Sequence, residues 1–66
     1  MICTVNAQSK ELPEGTTVEG LIELLGLGSA ICAAEVDKKI VPKRERSETV
    51  LLDGQSIEIV TLVGGG

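Results

Sequence analysis

The amino-acid sequence predicts an α+β domain in which one helix packs on one face of a mixed five-stranded sheet. One segment has helical periodicity, and five short β-prone runs surround it in the order β-β-α-β-β-β. Because one helix covers only one face of a sheet, this order gives two layers. The 66 residues suit a single domain with a small core. We assign residues 1–63 to this domain and residues 64–66 to a flexible C-terminal glycine tail.

The first two strands form a predicted hairpin. Met1 to Asn6 and Ser9 to Leu12 are β-prone, and residues 6–8 between them have the composition of a turn. Pro13 ends the second strand, because proline has no N–H for the ladder.

The helix is predicted from Thr17 to Leu25. Thr16 and Glu19 have the spacing of a capping box, and Gly26 suits the left-handed residue that follows a helix. Leu27 is placed to pack back on the last turn. The apolar stripe consists of Val18, Leu21, Ile22 and Leu25.

Two short strands follow the helix, at Ile31 to Val36 and Lys39 to Val41. A two-residue turn at Asp37-Lys38 joins them, although Lys is a poor choice where both positions need positive φ. Residues 43–48 form a charged loop that has room for one helical turn, and Leu51 brings the chain back to the core.

The last strand, Ser56 to Leu62, is the longest, and it is apolar on both faces. That pattern suits a central strand, paired in parallel with the first strand. Because successive side chains along a strand point to opposite sides, each strand residue can be assigned to one of the two sheet faces. The face under the helix contains Cys3, Val5, Cys32, Ala34, Val36, Ile57 and Ile59. The open face contains Ile2, Val60 and Leu62, which we take as a candidate partner-binding patch beside the tail.

The composition excludes several function classes. The sequence has no aromatic residue and no histidine, which removes base-stacking platforms and the usual acid–base side chain. The net charge of −4 disfavours nucleic-acid binding, and we interpret the basic run from Lys38 to Arg46 as a solvated loop and sheet edge. Metal binding is not expected of Glu35, Asp53 and Glu58, because their spacing matches no ligand motif.

The two cysteines, Cys3 and Cys32, are interpreted as reduced, buried core residues. If the last strand lies between theirs, they are too far apart for a disulfide. The sequence contains no secretory leader and no apolar run of membrane-spanning length, so we expect a cytoplasmic protein.

The sequence ends in Gly64, Gly65 and Gly66. Glycines build no core, but a chain without Cβ atoms can enter a narrow groove with its carboxylate leading. Three residues span at most about 10 Å when extended. The Gly66 carboxylate is therefore the predicted working group.

These features together resemble the sulfur carrier proteins of thiamin biosynthesis, a family with the ubiquitin-like β-grasp fold. The resemblance covers essentially the whole chain. It rests on Leu12-Pro13-Glu14-Gly15-Thr16-Thr17-Val18, Leu24-Leu25-Gly26-Leu27, Ala34-Glu35-Val36-Asp37, Ile40-Val41-Pro42, Asp53-Gly54-Gln55-Ser56-Ile57-Glu58-Ile59-Val60 and Val63-Gly64-Gly65-Gly66. Asp37-Lys38 departs from the Asn-Gly that the family often has in this turn.

The resemblance implies a protein co-substrate that is not itself an enzyme and binds no cofactor. An E1-like adenylyltransferase would use ATP to adenylate Gly66, and a cysteine desulfurase would be the ultimate sulfur source. The resulting thiocarboxylate would donate sulfur to thiazole synthase. The free protein is expected to be a monomer that contacts neither nucleic acid nor membrane.

Three alternatives remain at this point. Ranked after the sulfur carrier, they are the small subunit of molybdopterin synthase, a ubiquitin-like modifier linked to lysines through Gly66, and an interaction module with an inert tail. Measuring the intact mass of the chain after incubation with an adenylating partner, ATP and a sulfur source distinguishes most of these functions.

Overall fold

The computed structural model describes residues 1–62, and the predicted tail and Val63 lie outside the described residues. Its elements follow the predicted order, with one 3₁₀ turn in the charged loop. They are β1 Ile2–Val5, β2 Gln8–Glu11, α1 Val18–Leu24, β3 Cys32–Val36, β4 Lys39–Ile40, the 3₁₀ turn Lys43–Glu45 and β5 Ser56–Thr61.

The five strands form one mixed sheet in the order β2-β1-β5-β3-β4. The last strand is central, as its two apolar faces predicted. It pairs in parallel with β1, with Thr4 beside Ser56, and antiparallel with β3, with Ala34 opposite Ile59. β2 and β4 are antiparallel edge strands.

The core lies between α1 and one face of the sheet. Along β1 and β5, buried and exposed side chains alternate, as the sequence predicted. Leu51 adds a fully buried side chain from the segment before β5. The buried apolar residues are Cys3, Val5, Leu12, Val18, Leu21, Ile22, Ala34, Val36, Val41, Leu51, Ile57 and Ile59.

The helix begins one residue later than predicted, with Thr17 rather than Thr16 as its N-cap. Thr17 has an extended backbone, and its hydroxyl accepts a hydrogen bond from the Gly20 N–H at 3.0 Å. Thr16 instead accepts at its carbonyl from Leu51 N–H, at 2.8 Å. That bond holds Thr16 in line with the 49–51 segment, so the helical turn starts only after it.

The helix ends at Leu24, one residue before the predicted end, and the predicted Schellman motif follows at Gly26, whose φ is +77°. Gly26 N–H donates to the Glu23 carbonyl at 2.9 Å, and Leu27 N–H donates to the Ile22 carbonyl at 3.0 Å. Leu27 packs against the core from this position.

Two-residue turns with positive φ at both positions connect both hairpins. The angles are +50° and +67° at Asn6 and Ala7, and +50° and +70° at Asp37 and Lys38. The first turn is thus one residue shorter than predicted. The second turn, Asp37-Lys38, has positive φ at both positions, which is the geometry that a lysine does not favour. Both turns begin with Asn or Asp, which tolerate the left-handed region better than other non-glycine residues.

Candidate functional site

The central strand leads directly to the predicted tail. Thr61 lies opposite Cys32 of β3, and Leu62 N–H donates to the Ile31 carbonyl at 2.9 Å. The chain is therefore held by the sheet through Leu62, four residues before the end of the sequence. Gly64, Gly65 and Gly66, the predicted working residues, lie outside the described residues.

The three residues assigned to the open face are all exposed. Ile2 is 54% exposed, Val60 57% and Leu62 63%. The structure does not bring them together, however. Thr4 pairs with Ser56, so Ile2 and Val60 are six residue positions apart along the strands, roughly 20 Å.

Val60 and Leu62 have other apolar neighbours, on β3 and just before it. Ala33 lies directly opposite Val60. Ile31 is 71% exposed, and its carbonyl accepts the hydrogen bond from Leu62 N–H. We call Ile31, Ala33, Val60 and Leu62 the tail-end patch. Two cross-strand apolar pairs thus flank the point where the chain leaves the sheet.

Sequence reasoning missed Ile31 and Ala33. Alternation along β3 placed Cys32, Ala34 and Val36 on the covered face, which leaves the residues between them for the open face. Only the antiparallel register with β5 shows that Ile31 and Ala33 stand beside Val60 and Leu62.

The middle of the open face is acidic. Glu35 lies directly opposite Glu58 in the β3–β5 pair. Like charges in this arrangement repel each other, and they give the face a local negative charge that suits a basic partner surface. Within residues 1–62, no group of three or more acidic, Cys or His side chains is placed to hold a metal ion.

The basic run from Lys38 to Arg46 is not uniformly solvated, which corrects the interpretation of this segment. Arg46 is only 8% exposed, and its Nη2 donates to the Cys32 carbonyl at 2.6 Å. Its backbone carbonyl accepts from Glu19 N–H at 3.1 Å. Arg46 therefore ties the 3₁₀ turn to both the helix and β3.

The two cysteines are free thiols, but only Cys3 is fully buried. Cys32, the first residue of β3, packs against the core but is partly exposed, and Arg46 Nη1 lies 3.8 Å from its sulfur. The expectation of two buried thiols is wrong for Cys32. β5 lies between their strands, which places them about 9.5 Å or more apart.

The described part of the chain has no helix with the length and apolarity needed to span a membrane.

Comparisons with known proteins place the chain in a family. The ThiS family model matches residues 3–66, including the glycine tail. The sulfur carrier protein ThiS of Escherichia coli K12 is 30% identical over 61 residues, which cover 92% of each chain. A crystal structure of a thiamine biosynthesis protein (ThiS) from Geobacter metallireducens superposes with a TM-score of 0.84 at 25% identity, over the whole of both chains.

A second kind of relative is much longer than this chain. A thiazole synthase of Paramagnetospirillum magneticum is 35% identical over 66 residues, and one of Magnetococcus marinus is 34% identical over 62. The chain spans only about a fifth of the length of these relatives: 20% and 19%.

The sheet order, the single helix and the full-length matches agree with the fold and the resemblance that the sequence predicted. The chain therefore belongs to the ThiS family and has the ubiquitin-like β-grasp fold.

Proposed function

We propose that the Gly66 carboxylate is the group on which this protein carries sulfur. Two observations support the proposal: the last described residue after the central strand, Leu62, belongs to the tail-end patch four residues before Gly66, and the family match runs through residue 66. The body offers little alternative chemistry, because the sequence contains no histidine and residues 1–62 hold no metal-binding cluster.

The carboxylate needs activation by another protein. A free α-carboxyl has an ordinary pKa near 3.5, so it is ionised at neutral pH and is a poor electrophile. Attack of a carboxylate oxygen on the α-phosphorus of ATP releases pyrophosphate and gives an acyl-adenylate. Hydrosulfide then attacks the carbonyl carbon, so that a C–S bond forms as the C–O bond to AMP breaks, which leaves a thiocarboxylate and free AMP.

The partners in this proposal are an E1-like adenylyltransferase, which uses the ATP, and a cysteine desulfurase as the ultimate source of sulfur. The sulfur acceptor is thiazole synthase. Two polypeptides named thiazole synthase contain a stretch similar to nearly all of this chain, which supports a working contact between the two proteins. In this scheme the protein is a co-substrate and contributes no catalytic side chain.

Docking on these partners is assigned to the tail-end patch. Apolar residues that are exposed in pairs around Leu62, the last described residue, offer a surface for a partner. Val60 and Leu62 keep the role predicted from the sequence. Ile2 lies too far along the sheet to share a small contact with them.

Intact-mass analysis tests the proposal. After incubation with the adenylyltransferase, ATP and a sulfur source, the free chain should gain the mass of one oxygen-to-sulfur exchange. Conjugates of higher mass on lysines would instead indicate a ubiquitin-like modifier. No change with competent partners would leave an inert module, and stable association with a large subunit at fixed stoichiometry would favour a molybdopterin-synthase-like subunit.

Valine substitutions in the tail provide the sharper form of the test. Gly65→Val or Gly66→Val should fold normally but lose ATP–pyrophosphate exchange by at least about a hundredfold, because a β-branched side chain crowds the approach to the reacting carbon. Gly20→Ala is the matched control, since a Cβ there meets no atom closer than 3.4 Å. Unimpaired exchange with either valine variant would contradict the proposal.

A further inference from the structure

A cavity of about 330 Å³ lies between the start of the helix, the 3₁₀ turn and the loop that leads into β3. Its size is at the lower end of the range of small-molecule sites. Its lining contains Glu19 and Ile22 of the helix side, Ser29 and Ile31 of the loop, and Lys43 and Arg46 of the 3₁₀ side. The proposed sulfur chemistry at Gly66 makes no use of it.

Arg46 is the unusual group in this cavity. It is the one buried charged residue within residues 1–62, and its Nε makes no hydrogen bond. Nη2 donates to the Cys32 carbonyl, and Nη1 lies 3.8 Å from the Cys32 sulfur. Among the described residues, no carboxylate comes within 4.0 Å of this guanidinium.

A buried guanidinium without a negative partner is costly, because the protein replaces the water but not the counter-charge. The carbonyl and the sulfur of Cys32 accept from Nη2 and Nη1, whereas Glu19, the carboxylate in the same lining, forms no ion pair with Arg46 within 4.0 Å. An oxyanion in the cavity would supply that charge and accept from the planar guanidinium donors.

The remaining lining favours an anion that carries an apolar group. Lys43 adds a second cation, and Glu19 is the single carboxylate of the lining, so the charged side chains sum to +1. Ile22, Ala30 and Ile31 provide an apolar wall. The volume exceeds that of a lone inorganic anion and leaves room for a short aliphatic body against this wall.

We propose that the cavity beside Arg46 and Lys43 binds a small organic anion, with its phosphate or carboxylate group at the two cations and its apolar body against Ile22 and Ile31. Binding of this anion does not depend on the sulfur-transfer chemistry proposed for Gly66.

Titration of the isotope-labelled chain tests this site by NMR at constant ionic strength. The probes are inorganic phosphate, butyl phosphate and hexanoate. We expect saturable shifts at the amides of residues 28–32 and 43–46, with butyl phosphate or hexanoate bound more tightly than inorganic phosphate. A preference between the two organic probes identifies the head group.

Three variants locate the charges. Lys43→Met should weaken binding of the preferred probe about three- to tenfold, because it removes one cation. Glu19→Gln should tighten it, because it removes the opposing carboxylate. Lys10→Met is the matched control, since it loses the same charge from β2, outside the cavity, and should bind like the unaltered chain.

Three results would overturn the proposal. One is the absence of saturable shifts with any probe. Another is an equal loss of binding in Lys43→Met and Lys10→Met, which would mean non-specific attraction. The third is binding of a short peptide that contains Glu between apolar residues when butyl phosphate and hexanoate do not bind, which would assign the cavity to an acidic side chain of a protein partner.

Discussion

The two ends of the open sheet face contrast in construction, although each exposes apolar side chains. At the turn end, the backbone of Ile2 is hydrogen-bonded to Asp53 and Gly54 in the turn before β5. At the tail end, Val60 stands among other apolar side chains. The two residues are about equally exposed, at 54% and 57%, so exposure alone does not distinguish a docking residue from an isolated one.

The turn end is held by side chains that accept from the backbone. Asp53 Oδ1 accepts from Ile2 N–H at 2.7 Å, and Asp37 Oδ1 accepts from Ser56 N–H at 3.0 Å. Gln55 Nε2 donates to Asp37 Oδ2 at 3.2 Å. These bonds fix the start of β5 against the turns on either side of it.

Beyond the strand pairing, the tail end has the bond from Leu62 N–H to the Ile31 carbonyl and the bond from Arg46 Nη2 to the Cys32 carbonyl. Ile31 belongs both to the tail-end patch and to the lining of the cavity beside Arg46. We propose that the turn end contributes mainly to stability and the tail end to contact with partners. The predictions below test that division.

The cysteines should show the largest difference between the two ends. Cys3 is 1% exposed and its thiol donates to the Leu52 carbonyl at 3.3 Å, whereas Cys32 is partly exposed. Iodoacetamide should label Cys32 at least about a hundredfold faster than Cys3, because Cys3 reacts only after the structure opens. Peptide mass mapping over time measures both rates, and labelling in denaturant is the control. Equal rates in the folded protein would contradict the division.

A negative charge introduced at an exposed apolar residue should weaken partner binding at the tail end but not at the turn end. Val60→Asp should weaken the affinity for the adenylating partner by about tenfold or more, because it places a charge inside the proposed contact. Ile2→Asp, the matched variant at the turn end, should change the affinity by less than about twofold. Calorimetric titration measures both affinities. If the Ile2 variant loses as much affinity as the Val60 variant, the docking surface is not confined to the tail end.

Removal of a turn-end acceptor should affect stability and leave docking unchanged. Asp53→Ala should lower the free energy of unfolding by about 1 kcal/mol, because the Ile2 N–H loses its partner. Asp53→Asn keeps an acceptor oxygen and should recover most of that loss. Urea unfolding measures the stabilities. A weaker partner affinity in a folded Asp53→Ala protein would show that the turn end also takes part in docking.

Much of the fold follows from local pattern. The helical stripe and the Gly26 signal located α1, and the two apolar faces of the last strand placed β5 at the centre. These signals predict well because each depends on one periodicity or on one residue with an unusual backbone preference.

The parts that sequence reasoning missed depend on contacts between distant segments. Thr17 displaces Thr16 as the N-cap because Leu51 bonds the Thr16 carbonyl. Arg46 is buried because its guanidinium donates a hydrogen bond to the carbonyl of Cys32, 14 residues away along the chain. Neither partner is visible from spacing along the chain, and the same holds for the register that assembles the tail-end patch.

The Asp37-Lys38 turn provides the smallest predicted effect and the last test of the turn end. Lys38 has φ +70°, which strains a residue with a Cβ, while Asp37 offsets part of the cost through its bond to Ser56. Lys38→Gly should therefore raise the free energy of unfolding by about 0.5 kcal/mol, the strain relief exceeding the added freedom of the unfolded chain. Lys39→Gly, in β4, should lower it, because a strand residue gains no relief from glycine. Urea unfolding of the two variants measures the difference. A destabilised Lys38→Gly protein would mean that the lysine side chain itself stabilises the turn end, and partner affinity should be unchanged in both variants because this turn lies away from the tail-end patch.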